Sequence, residues 1–146
     1  MKPKIYISAD HRGVGLKLYL IEMLYAAGYE NVVNMGVDVP EPMVDYPEIA
    51  HRVTDELLND KSARGIIICG GGAGACMAAN RFPHIRATVC HNPSDARETR
   101  EHNDANVICI GADHIDLEVA FLTVQSFLES PFDAAERRIR RIEMIS

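Results

Sequence analysis

No stretch of this sequence stays apolar for the roughly 18–20 residues that a membrane-spanning helix requires. The first ten residues, MKPKIYISAD, hold only a short apolar run before Asp10 and His11, so they do not read as a signal peptide. The expected location is the cytoplasm, with no membrane partner. A basic stripe is also missing. Fifteen Lys and Arg stand against 21 Asp and Glu, a net charge of −6, and the one cluster, Arg137–Arg141, is short and terminal. A nucleic-acid partner is therefore not expected. None of the four cysteines, Cys69, Cys76, Cys90 and Cys109, forms a Cys-x-x-Cys pair, which argues against a zinc ribbon and a thioredoxin-like centre. In a reducing compartment they are expected to be free thiols. Cys90 and Cys109 lie in apolar runs and are expected to be small buried side chains. There is no internal repeat, low-complexity tract or linker, so residues 1–146 are expected to form one domain.

Short apolar runs alternate with amphipathic stretches. IYIS (5–8), NVVNMG (31–36), GIIIC (65–69), IRATVC (85–90) and NVICIG (106–111) read as strands. Leu16, Leu20, Met23, Leu24 and Ala27 recur at helical spacing, with Gly28 as a stop. A two-proline loop (37–46) leads to Pro47, which opens a second helix. Further helices are expected after the glycine-rich turn at 70–74, from an N-cap at Ser94 to about His102, over 115–129, and over about 133–145. This βα alternation predicts a parallel sheet covered on both faces, with right-handed crossovers.

Open parallel sheets bind ligands beyond the carboxyl ends of their strands. That edge receives Asp10-His11, Cys69–Gly74, His91-Asn92 and Gly111–Asp113. The glycines at 70, 71, 72 and 74 let backbone N–H groups approach an anion, although the Gly-Lys-Ser/Thr ending of a P-loop is missing. The same turn equally serves close helix–sheet packing. On position alone Cys69 reads either as an inert buried thiol or as a base. Asp10 reads as a helix cap or, with His11, as a hydroxyl-handling pair. His102 and Asn103 fall at the far end of the fourth helix, so only a bend in the chain or a second subunit brings them to that cleft. Arg137 and Arg141 share one helix face and read as a solvated face or a phosphate clamp.

Taken together, SADHRG (8–13), VDYP (44–47), GIIICGGGAG (65–74), AANR (78–81), IRATVCH (85–91), TREHNDANV (99–107), IG (110–111), PF (131–132) and the terminal arginines resemble the family of ribose-5-phosphate isomerase B and the galactose-6-phosphate isomerase subunits. The resemblance implies a Rossmann-like α/β/α three-layer sandwich with a five-stranded parallel sheet and a C-terminal helix. It also implies a homodimer with shared sites, often a tetramer, acting on a sugar phosphate without metal or cofactor. By the same resemblance Cys69 would move a proton between C1 and C2 through an enediol, and His102 would help open the sugar ring. Asp10 and His11 would hold that end of the sugar, Asn103 would bind a hydroxyl, and Tyr46 would line the pocket. The N–H groups of Gly70, Gly71, Gly72 and Gly74 would stabilise the enediolate. Arg137 and Arg141 would bind phosphate.

The sequence departs from the family pattern at several points. Gly71 replaces a threonine and widens the pocket, and Ala75 stands where some members carry a glutamate base. Asp113 stands where an arginine is common, and Ala135-Glu136-Arg137-Arg138 replaces Gly-Gly-Arg-His. A carboxylate near a phosphate repels it unless a cation intervenes. Gly71 and Asp113 therefore raise the expectation of a shifted substrate: allose or galactose 6-phosphate, erythrose 4-phosphate or a free sugar. A non-catalytic sugar-phosphate sensor is the alternative of another class. A redox pair of Cys69 and Cys76 is not favoured, because seven residues across a turn need not bring the sulfurs together.

Overall fold

The computed structural model describes all 146 residues, Met1–Ser146. Five strands, β1 (Ile5–Ala9), β2 (Val32–Asn34), β3 (Arg64–Cys69), β4 (Ala87–Val89) and β5 (Val107–Gly111), form one parallel sheet in the order β2-β1-β3-β5-β4. Six helices connect and flank them: α1 (Val14–Ala26), α2 (Tyr46–Asn59), α3 (Ala73–Ala79), α4 (Pro93–Asn103), α5 (Leu117–Glu129) and α6 (Glu136–Ile145). The result is the three-layer α/β/α fold that the alternation predicts.

The period of two along each central strand divides the core. Ile5, Ile7, Ile66, Ile68, Ile108 and Ile110 pack with Leu16, Leu20 and Leu24 of α1 and Val124 and Phe127 of α5. Tyr6, Ile67, Cys69, Val107 and Cys109 face the opposite way, against Ile49, Ala50 and Val53 of α2 and Ala75 and Ala79 of α3. Being covered on both faces, β3 and β5 read as unbroken apolar runs.

Element boundaries shift where the ladder or a cap decides them. β2 and β4 are edge strands of three residues, shorter than their apolar runs, because pairing on one side alone closes fewer backbone bonds. The N-cap of α4 is Asn92, not Ser94: the Asp95 N–H donates to Asn92 Oδ1 at 2.8 Å, and Pro93 occupies the first helical position. α6 starts at Glu136 instead of 133, because the Asp133 N–H donates to the Glu101 carbonyl at 3.0 Å and holds that segment against α4. Gly28 follows α1 at φ 91, as its stop role requires.

One buried cation fixes the loop after β2. Lys17, on α1, is fully buried. It donates to Asn34 Oδ1 at 2.9 Å, Asp38 Oδ1 at 2.7 Å and the Val37 carbonyl. The ammonium hydrogen bond holds the Asp38 carboxyl below its usual range. The loop anchored there leads to Val44 and Tyr46, which reach the ligand edge.

Candidate active site

β1 and β3 are neighbours whose outgoing connections run to opposite sides of the sheet, which makes the gap between their carboxyl ends the topological switch point. The exits of β1, β3 and β5 are tied together there. The Asp10 N–H donates to the Ile68 carbonyl at 3.0 Å, and the Asp113 N–H donates to the Gly70 carbonyl at 3.1 Å.

Cys69 ends β3 and is 4% exposed. The Gly72 N–H donates to Cys69 Sγ at 3.1 Å, so the turn folds this amide back toward the sulfur. Gly72 sits at φ 83, and a Cβ there would lie 2.9 Å from the Gly111 nitrogen; both facts demand glycine. A Cβ on Gly74 would lie 2.7 Å from the Tyr46 ring, which therefore packs over the turn. Around Gly71 nothing lies within 4 Å of the same position, so the missing side chain leaves open space. α3 has only seven residues, and the turn amides, more than a helix dipole, supply the polarity here.

Asp10 does not cap α1. The residue before that helix is Gly13, without a side-chain cap, and Asp10 Oδ1 instead accepts the Arg12 N–H at 3.0 Å. Only 5% exposed, Asp10 lies in the floor beside Cys69's strand. His11 Nδ1 accepts the Val44 N–H at 3.3 Å, which in the neutral ring leaves Nε2 carrying the proton. His91, after β4, accepts the Gly111 N–H on Nε2 at 2.9 Å. Burial, together with the nearby His114, lowers the His91 pKa, which suits a ring that must stay an acceptor.

Arg12 is the group that sequence reasoning missed. Its guanidinium lies over Gly70, with Nη1 only 2.5 Å from where a Cβ would stand. It also ion-pairs with Asp113. The carboxylate expected to repel a phosphate thus has its cation, drawn from 101 residues earlier in the chain. Arg12's place beside His11 was visible in the sequence; its partner was not.

His102, Asn103, Arg137 and Arg141 do not join this cleft within one chain. Asn103 lies at the amino-end side of the sheet, where Arg86 Nε donates to its carbonyl at 3.0 Å. His102 Nδ1 is 3.6 Å from Glu98 Oε1. α6 docks beside them, with Arg138 Nη1 donating to the Glu101 carbonyl at 2.8 Å. Cavities of about 260 and 390 Å³ run along the β4 edge. Asn103 lines both, and Ile145 of α6 lines the second. The single chain therefore keeps His102 and Asn103 apart from the Cys69 cleft. No three His, Cys, Asp or Glu side chains converge as metal ligands. No helix is long and apolar enough to cross a membrane.

The fold defines a three-layer α/β protein with a thiol, a glycine-rich turn and the neighbouring Asp10 and His11 at the carboxyl edge of its parallel sheet. Residues 5–145 match the family model described as Ribose/Galactose Isomerase, and the chain belongs to that family. It is 36% identical to ribose-5-phosphate isomerase B of Escherichia coli (strain K12), over 98% of this chain and 94% of that one. The solved structure of a ribose 5-phosphate isomerase from Thermotoga maritima superposes with a TM-score of 0.93 at 39% identity, covering 98% of this chain and 97% of the other. The ribose 5-phosphate isomerase B of Anaplasma phagocytophilum superposes at 0.92 with 36% identity, covering 99% and 97%.

Proposed function

We propose that this chain interconverts ribose 5-phosphate and ribulose 5-phosphate by a metal-independent enediol route, as a cytoplasmic homodimer. The observation that carries the reading is the Gly72 N–H donated to Cys69 Sγ at the switch point, with a glycine-lined space beside it. Cys69 is the base that takes the proton from C2 and returns it to C1. An enediolate forming above Gly70–Gly74 develops charge on oxygen; with the Gly72 N–H held by Cys69 Sγ, the turn's other N–H groups are the donors to meet it. Asp10 and His11 hold the ring-oxygen end, Tyr46 closes the wall, and Arg12 screens Asp113.

The second half-site belongs to the partner subunit in this reading. His102 opens the furanose ring, Asn103 binds a hydroxyl, and Arg137 and Arg141 take the phosphate. A helix with no buried residue supports it: α6 is amphipathic, yet Ile139, Met144 and Ile145 are exposed. An apolar stripe left in water calls for a neighbour.

The space at Gly71 favours a second reading within the same chemistry, a bulkier aldose phosphate such as allose or galactose 6-phosphate. The test is an isomerase assay without added metal on ribose 5-phosphate, both hexose phosphates, erythrose 4-phosphate and free ribose, beside Cys69→Ala. Activity should fall about 10²–10⁴-fold in the variant, the usual contribution of a general base. Undiminished turnover by Cys69→Ala would remove Cys69 from its role, and a silent panel would favour a sugar-phosphate sensor.

A further inference from the structure

Lys61, Arg64, Arg86 and Arg100 crowd the amino-end edge of the sheet, away from Cys69. They come from the loop after α2, the start of β3, the approach to β4 and helix α4. One carboxylate stands among them. Asp104 sits in the left-handed cap of α4 at φ 47, and both its oxygens are taken. Oδ1 accepts from Arg100 Nη1 at 2.7 Å, and Oδ2 accepts from Arg86 Nη2 at 3.2 Å.

Arg64 is left over. It has no carboxylate partner, and its Nη1 donates to the carbonyls of Ser62 and Ala63 at 3.2 and 3.0 Å. It is half-buried, and burial together with the charges of Arg100 and Arg86 pulls its pKa down, which Asp104 offsets only in part. Lys61 makes no ion pair either. The chain as a whole carries a net charge of −6, so this local excess of cations is not a general property of the surface.

All of these groups but Arg100 line a cavity of about 220 Å³, together with His84 and Asn106 among others. His84 stands there at φ 67, a backbone conformation that costs a residue with a Cβ on the order of 1 kcal/mol. Asn106 Nδ2 donates to the His84 carbonyl at 2.6 Å and holds it in place. A residue in left-handed backbone and a guanidinium without a carboxylate partner thus share one small cavity.

We propose that this cavity is a second binding site, distinct from the Cys69 cleft, which takes a small oxyanion: inorganic phosphate or the phosphoryl group of a metabolite. Planar guanidinium forks suit tetrahedral oxyanions, and a half-buried cation without a counter-charge gains most from one. The site also touches the proposed chemistry. Arg86 Nε donates to the carbonyls of Asn103 and Asp104, both at 3.0 Å, so an anion drawing on Arg86 bears on the helix end that carries His102 and Asn103.

The experiment is calorimetric titration of the full chain with inorganic phosphate, at ionic strength held constant with chloride. The variants are Arg64→Gln, Lys61→Glu, and Arg137→Gln/Arg141→Gln to remove the proposed substrate clamp. The clamp variant should still bind one phosphate per chain. Adding Arg64→Gln or Lys61→Glu to it should weaken that phosphate by about tenfold or more, as loss of a charge-assisted hydrogen bond implies. If Arg64→Gln fails to fold, Lys61→Glu decides alone, since Lys61 is exposed. A clamp variant that binds no phosphate, or binds it with unchanged affinity after either substitution, overturns the proposal. The isomerase reading is tested separately, by Cys69→Ala, so either reading can fail while the other stands.

Discussion

Gly71 and Gly72 are neighbours in one turn and should answer to substitution in opposite ways. Gly72→Ala forces a Cβ into left-handed backbone and against the Gly111 nitrogen, so it should lose about 2–4 kcal/mol in urea unfolding. Gly71→Thr meets open space and should stay within about 0.5 kcal/mol of the parent. If the gap selects the larger sugars, that variant should shift kcat/KM toward ribose 5-phosphate; an unchanged preference would show that Gly71 does not face the substrate. The thiols also separate. A hydrogen bond with Cys109 holds the Cys76 thiol below the usual range, while burial pushes Cys90 up to about 11. Iodoacetamide should therefore label Cys76 ahead of Cys90 and Cys109, by peptide mass spectrometry. Equal labelling of Cys76 and Cys90 would contradict it. Any alkylation study of Cys69 needs a Cys76→Ser background for that reason.

The β4–α4 connection joins a strand exit to a helix cap, and its pH response follows from His91. The folded ring binds a proton less readily than the unfolded one, through burial and the nearby His114. As pH falls through the ordinary histidine value of about 6.5, the unfolded state takes up its proton first, and stability drops until the folded ring also protonates. Above that value the contribution is complete. His91→Gln keeps an acceptor for the Gly111 N–H, so the loss of urea midpoint between pH 7.5 and 5.5 should be smaller in the variant than in the parent. An identical loss would assign the acid sensitivity to other groups. Next in the chain, Asn92→Ala should cost about 1 kcal/mol as a lost N-cap.

At the scale of the molecule, the proposal that two distant half-sites combine across subunits has a direct test. Cys69→Ala and His102→Asn should each be inactive alone. Mixed and allowed to exchange subunits, they should regain roughly a quarter of parental activity, because half of the dimers are hybrids and each hybrid holds one intact site. No recovery, with exchange shown by mass spectrometry, would mean that Cys69 and His102 do not act across subunits. Arg12→Ala should raise KM for a phosphorylated substrate about tenfold by unscreening Asp113, and Arg12→Ala/Asp113→Ala should recover much of it. If the double variant is as impaired as the single one, Arg12 contacts the substrate itself.

Strand identity was legible because residues 65–69 of β3 and the whole of β5, buried on both faces, hold no charged residue to interrupt their runs, and the glycine turn after Cys69 announced itself by composition. The parallel architecture follows from the alternation, and the rule that ligands gather at carboxyl ends picks out Asp10-His11, Cys69–Gly74, His91-Asn92 and Gly111–Asp113 as places that could meet. What stayed hidden depends on groups distant in sequence. Arg12 meets Asp113 across 101 residues, the Val44 N–H takes His11 Nδ1, and Lys17 anchors the loop that carries Val44 and leads into Tyr46. The sequence pattern puts the N-cap of α4 at Ser94, two residues past Asn92, because both side chains offer the same chemistry and only the extended backbone at Asn92 decides between them. Local pattern fixes which residues are strand, helix or turn, since that depends on neighbours a few positions away. Which charges meet, and that Arg64 is left without a partner, depends on how the strand ends are brought side by side, and only the tertiary structure decides that.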